Sequence, residues 1–234
     1  MRALGALLAA SRARRRLVVT DSIFSMDGDT APLRVICDLA ERYGAMVLVD
    51  EAHATGCVGP NGAGVVAAEG LQERVTVQMG TLGKALGTFG AFVAARRSVV
   101  DLMINVSRPF IYTTALPPPA VAAAAAAVEI VMTDEARRQQ LAANAAALVT
   151  GLRARGFDLG PSPCHIVPVL IGDATATMAL SERLLAEGVF VQGIRPPTVP
   201  RGTARLRATV MSTHTAEDVA AALAATDRAC AAVT

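Results

Sequence analysis

The run Met46-Val47-Leu48-Val49 is apolar without interruption and stops abruptly at Asp50-Glu51. A strand covered on both faces of its sheet reads this way, because alternation disappears when neither face meets water. Its surroundings keep the same rhythm. Leu17-Val18-Val19-Thr20 is a short β-branched run, with turn residues Asp27-Gly28-Asp29 soon after it. Pro32 opens a helical pattern through Leu33, Ile36, Leu39 and Ala40 that ends at Gly44. Val75-Thr76-Val77 and Ala91-Phe92-Val93 read as two further strands. Strand, helix, strand in this order predicts an α/β fold with a mostly parallel sheet and flanking helices.

From Pro117 the pattern changes. Three prolines lead into an alanine-rich stretch to about Val149, interrupted by charges around Asp134 to Arg138. Alanine is the best helix former, so one or two long helices are expected, although a low-complexity linker has similar composition. The flanking Val121, Val128, Ile130 and Val131 favour packed helix. Beyond Gly151 the segments predict a small α+β domain. His165–Ile171, Val189–Ile194 and Ala204–Val210 read as strands, Thr175–Glu187 and Thr215–Ala232 as helices.

Composition excludes several classes. Hydrophobic residues make up 53% and charged residues 18%, the balance of a globular chain. A formal net charge of +2, no tryptophan and 3% aromatic residues argue against nucleic acid as a partner. The four cysteines, Cys37, Cys57, Cys164 and Cys230, are scattered and form no Cys-x-x-Cys pair, so reduced thiols and no structural zinc are expected. Near the N-terminus, Arg12, Arg14, Arg15 and Arg16 follow the apolar run Ala3–Ala10, the reverse of a signal peptide. A short helix with a basic C-terminal end is expected there. No run reaches the roughly 20 apolar residues of a membrane span, so a cytoplasmic location is expected.

Polar groups gather at the predicted strand ends, where α/β folds place their sites. They are Ser25, Asp50 with His53, and Thr81 with Lys84. Singly, each has an ordinary reading. A lone lysine is usually a surface charge, and Asp50 with His53 could be a buried ion pair or two metal ligands. Only three histidines are present, and His165 and His214 stand apart, so no metal is expected. The glycine-rich stretch Gly59 to Gly64 is not a G-x-G-x-x-G opening a helix after a strand, so it predicts no dinucleotide site.

In combination the residues say more. A strand ending in Asp50-Glu51-Ala52-His53, followed by Thr81-Leu82-Gly83-Lys84, resembles the fold-type I enzymes that use pyridoxal 5'-phosphate (PLP). Phe24-Ser25-Met26-Asp27-Gly28-Asp29 with Ala31-Pro32, Ile111-Tyr112-Thr113-Thr114 before Pro117-Pro118, and the run from Arg195-Pro196-Pro197-Thr198-Val199-Pro200 to Arg205-Leu206-Arg207 narrow this to the α-oxoamine synthases. The match runs from about residue 17 to the C-terminus.

That resemblance implies roles. Asp50 keeps the ring nitrogen of PLP protonated, because a buried carboxylate stabilises a pyridinium. His53 and Ser25 hydrogen-bond the ring oxygen, and Thr81 with the turn glycines faces the phosphate. Gly83 and Gly87 leave room beside the backbone. Lys84 forms the Schiff base and then carries protons, aided by a desolvated amine. Thr113 and Thr114 reach the phosphate of a partner subunit in a homodimer. Arg207 forks onto the substrate carboxylate, and Arg195 and Thr198 line the acyl side. On spacing alone, Arg205 and Arg207 share one strand face and could be a merely charged surface. The Arg195–Pro200 run resembles the branch that condenses L-alanine with a pimeloyl thioester, on coenzyme A or a carrier protein, with loss of carbon dioxide. A sister synthase using glycine or serine, or a remnant that holds no cofactor, are the alternatives.

The resemblance also implies a layout: residues 1–116 as part of a large PLP-binding domain, 117–150 as connecting helices, and 151–234 as a small C-terminal domain. Relatives carry a further N-terminal segment with a phosphate loop and a ring stacked on the cofactor. Without it, poor solubility or no activity is expected of this chain alone.

Overall fold

The computed structural model describes residues 1–161 and 164–231. Along the chain it contains α1 (Arg2–Ala10), β1 (Leu17–Asp21), α2 (Leu33–Arg42), β2 (Met46–Asp50), α3 (Val65–Ala68), β3 (Val77–Thr81), β4 (Ala91–Ala95), α4 (Arg97–Val106), α5 (Arg108–Ile111) and α6 (Pro118–Thr133). These are followed by α7 (Glu135–Ala154), β5 (Ile166–Gly172), α8 (Ala174–Ala186), β6 (Gln192–Ile194), β7 (Ala204–Thr209) and α9 (Ala216–Ala231). The chain divides into two compact units. Met1–Ile23 with Thr30–Glu135 forms the first, and Phe24–Asp29 with Ala136–Thr234 the second.

In the first unit a four-stranded sheet has the order β1-β2-β3-β4. The first three strands are parallel and β4 returns antiparallel to β3. This is the mostly parallel sheet with flanking helices that the rhythm of the sequence predicts. Helix α2 buries Leu33, Ile36, Cys37 and Ala40, a single stripe at helical spacing, and packs against β2. Its end is a Schellman motif: the Ala45 amide bonds the Ala40 carbonyl and the Gly44 amide bonds Glu41, with Gly44 at φ +61°.

Several expectations need correction. The apolar run of β2 predicts cover on both faces, yet Val47 and Val49 are buried while Met46 is exposed, as are Leu17 and Val19 on β1. The described residues cover one face of this sheet. Helix α1 stops at Ala10, so the arginine cluster lies beyond it; Arg16 instead donates to the carbonyls of Ser11 (2.8 Å) and Tyr43 (2.5 Å). Strand β3 begins at Val77 and runs through Gly80 and Thr81, later than the β-branched residues suggest. A Cβ at Gly80 would lie 2.4 Å from the ring of Phe92 across the β3–β4 pair, so only glycine fits under that ring. Helix α4 was not anticipated.

The second unit contains the antiparallel sheet β5-β7-β6. Its apolar core is built from residues such as Leu152 of α7, Val169 of β5, Leu184 of α8, Leu206 of β7 and Ala225 of α9. Both later helices are capped by side chains. Asp173 accepts from the Ala176 amide, and Thr215 and Asp218 form a reciprocal capping box. Strand β6 is limited to three residues, and Ala232, the expected end of the last helix, lies outside the described residues.

Leu33 is fully buried, with 0% exposure, so Leu33→Ala should lower the unfolding free energy by about 2–5 kcal/mol in urea titrations. Leu7→Ala, at a side chain 71% exposed, should change it by less than about 0.5 kcal/mol.

Candidate active site

Parallel pairing brings the ends of β1, β2 and β3 into register. Asp21 stands opposite Asp50, and Asp50 opposite Met79, two residues before Thr81. Register partners on parallel strands present their side chains to the same face, so the Asp21 and Asp50 carboxylates are neighbours at the carboxyl end of the sheet. Asp50 accepts a 2.8 Å bond from the Ala52 amide through Oδ1, while Oδ2 makes no hydrogen bond among the described residues. Burial, followed by the charge of Asp50, pushes the Asp21 carboxyl above its ordinary range, and the positive charge of Lys84 pulls it back in part. Asp21, Asp50 and Lys84 therefore form one electrostatic group. His53 is half-buried in the turn that follows β2.

Lys84 lies in the loop between β3 and β4 and is exposed, so the described residues do not desolvate its amine as the resemblance implies. The loop is fastened from within. The Thr81 hydroxyl accepts from the Gly83 amide at 3.2 Å and donates to the Gly90 carbonyl at 3.2 Å. Its single proton is thus engaged in shaping the lysine loop. Gly87, at φ +63°, has no atom within 4 Å of where a Cβ would stand. Thr113 and Thr114 are exposed between α5 and α6, and neither side chain makes a hydrogen bond among the described residues.

Reasoning from the sequence overlooked two acidic residues here. Asp21 ends a strand without belonging to any motif. Glu51 reads there only as part of the Asp50–His53 motif, yet it is 3% exposed and receives three hydrogen bonds. Its phase with Val47 and Val49, four and two residues earlier on the same face, is the signal that could have marked it for burial.

In the second unit the two arginines of β7 differ sharply. Arg205 is 4% exposed, ion-paired with Asp27, and donates to the Thr203 carbonyl at 3.0 Å. Arg207 is half-buried and has no carboxylate partner among the described residues. Its Nε donates to the Ser25 carbonyl at 2.5 Å and one terminal nitrogen to the Thr209 hydroxyl at 3.0 Å. Burial lowers its proton affinity. Structure separates what spacing could not: Arg205 is ion-paired with Asp27, whereas one terminal nitrogen of Arg207 makes no hydrogen bond among the described residues. Ser25 is half-buried with a hydroxyl unengaged among the described residues, and Arg195 and Thr198 are exposed in the turn after β6, linked by a 3.1 Å backbone bond.

The donor set fits PLP. It offers a carboxylate with one oxygen unengaged among the described residues for a ring nitrogen, a primary amine for the aldehyde, and an open glycine in the loop that carries the amine. The comparisons agree. A family model for class I and II aminotransferases matches residues 1–225, and the chain belongs to that family. Within it, the chain is 54% identical over 222 residues to the 8-amino-7-oxononanoate synthase of Anaeromyxobacter sp. (strain K), covering 95% of this chain and 56% of that protein. The synthase of the same name from Geobacter sulfurreducens is 50% identical over 231 residues, covering 97% and 59%. A serine palmitoyltransferase from S. paucimobilis, solved with bound PLP and myriocin, superimposes with a TM-score of 0.94 at 37% identity, covering 98% of this chain and 58% of that one. The chain thus spans little more than half the length of these relatives.

Burial, followed by the charge of Arg207, lowers the proton affinity of His165 below its ordinary value of 6.5. The unfolded chain then binds the extra proton first. Stability is full above about pH 6.5 and falls as pH drops through that value toward the lower folded one. Urea unfolding across pH should show this decline, and His165→Gln should flatten it.

Proposed function

We propose that this chain carries the chemistry of a PLP-dependent acyltransferase that condenses L-alanine with a pimeloyl thioester, releasing carbon dioxide and forming 8-amino-7-oxononanoate for biotin synthesis. The observation that carries this reading is the strand-end grouping of Asp50 and Lys84 about Asp21, in a chain 54% identical to a protein named for that product. When bound, PLP supplies an electron sink for the bonds broken at the amino acid's α-carbon.

The chain's own residues do the rest. Asp50 holds the proton on the ring nitrogen through its free Oδ2. His53 and Ser25 hydrogen-bond the ring oxygen, and Lys84 anchors the cofactor and then moves the α-proton of alanine. Thr81 acts on the phosphate through the shape it gives the lysine loop, and can donate to it only by releasing the Gly90 carbonyl. Arg207 receives the alanine carboxylate; a planar fork with a free nitrogen suits a planar anion. Arg195 and Thr198 face the acyl chain. Thr113 and Thr114, exposed and with side chains unbonded among the described residues, serve the phosphate of a second copy in a cytoplasmic homodimer.

The test is spectroscopic. L-Alanine should perturb the visible absorbance of the PLP-loaded chain at lower concentration than serine or glycine does. A charge-assisted bond contributes about 1.5–3 kcal/mol, so Arg207→Met should raise the half-saturating alanine concentration by about ten- to a hundredfold. A preference for serine, or no effect of Arg207→Met, contradicts the assignment.

A further inference from the structure

Glu51 lies between the two residues assigned to the cofactor ring, Asp50 and His53, yet its side chain goes elsewhere. Successive residues leaving a strand point to opposite faces, so Asp50 turns to the site while Glu51 turns inward. There it is enclosed. The Ser22 hydroxyl donates to Oε2 at 2.6 Å, the Val65 amide to the same oxygen at 3.1 Å, and the Val66 amide to Oε1 at 2.7 Å. Ser22 is itself fully buried. A buried carboxylate is tolerated only when its lone pairs are filled in this manner.

Backbone bonds carry the ladder one step past each strand end. The Ser22 amide bonds the Asp50 carbonyl at 2.8 Å, and the Glu51 amide bonds the Met79 carbonyl at 2.7 Å. Glu51 is thus tied by its backbone to β3, and by its side chain to the residue after Asp21 and to the start of α3. The glycine-rich stretch is shaped around it. Gly64, at φ +97°, approaches so closely that a Cβ there would lie 2.6 Å from the Glu51 carboxyl carbon. The loop is closed by bonds from the Gly56 amide to the Gly62 carbonyl and from the Gly64 amide to the Val58 carbonyl, both 2.8 Å. Six residues that match no nucleotide motif therefore form the seat of an internal carboxylate.

We propose that Glu51 is a positioning residue: by clamping Ser22 and the amides of Val65 and Val66, it fixes the ends of β1 and β2 so that Asp21 and Asp50 stand side by side. The proposal rests on the reading that Asp50 serves the cofactor ring. Glutamine cannot replace Glu51. All three of its partners donate, so an amide nitrogen at either oxygen position faces a backbone N–H and leaves it unpaired. Ser22→Ala is the gentler change, removing one of the three bonds and leaving both amides satisfied.

The decisive readout is the proton affinity of the Asp21 carboxyl, followed by NMR in the cofactor-free chain. The charged groups acting on it are Asp50 from β2 and Lys84 from the β3–β4 loop. In the parent chain Asp21 should titrate above the ordinary aspartate value. Glu51→Gln should lower its proton affinity, as the strand ends part, burial is relieved and Asp50 moves away. Ser22→Ala should lower it less, in the same direction, with circular dichroism unchanged. Should Glu51→Gln fail to fold, Ser22→Ala alone decides. Folded variants with the parent titration, or unfolding of Ser22→Ala as well, would reduce Glu51 to a folding determinant and overturn the proposal. Because no cofactor is present, this result is separate from the cofactor reading, which falls instead if PLP does not load onto the chain.

Discussion

The in-phase ending of three parallel strands is the constraint on which the rest of the first unit depends. Because β1, β2 and β3 run the same way with Asp21 opposite Asp50 and Asp50 opposite Met79, the two carboxylates emerge together at the carboxyl end of the sheet, beside the end of β3. A one-residue slip of β2 would turn Asp50 inward and Glu51 outward. The register is held at several points: by the apolar side chains of Val47 and Val49, by the Schellman turn that delivers the chain from α2 into β2, and by the buried carboxylate just beyond the strand.

Much of this was legible in the sequence where side-chain pattern and backbone structure agree. The stripe Leu33, Ile36, Ala40 ended by Gly44 gives α2 directly, and the apolar run ending at Asp50 gives β2 and its functional end. Legibility fails where pairing partners supply the signal. Strand β3 continues through Gly80, which has no β preference of its own and is held in place by pairing with Phe92 of β4, whose ring leaves room for nothing larger. The same continuous run in β2 misled about its second face, because a buried strand and a strand with one exposed apolar face have the same composition.

The site shows a similar division. Motif residues such as Asp50, Thr81 and Lys84 are picked out in the sequence by their resemblance to a family pattern. Asp21 and Glu51 are not, because their importance lies in what stands across from them in space. The arginines of β7 make the point for the second unit. Alternation places Arg205 and Arg207 on one face, and only the presence of Asp27 beside Arg205 assigns one to structure and leaves the other open to an anion. Thr81 departs from expectation for a comparable reason: its hydroxyl proton is already used to close the loop that presents Lys84.

The account turns on Lys84 as the residue that takes the cofactor, and a covalent trap tests this most directly. The chain is incubated with PLP, reduced with borohydride, digested and analysed by mass spectrometry. The account predicts a phosphopyridoxyl mass addition confined to the peptide containing Lys84 and absent from Lys84→Ala. No addition, or modification unchanged in Lys84→Ala, would contradict it.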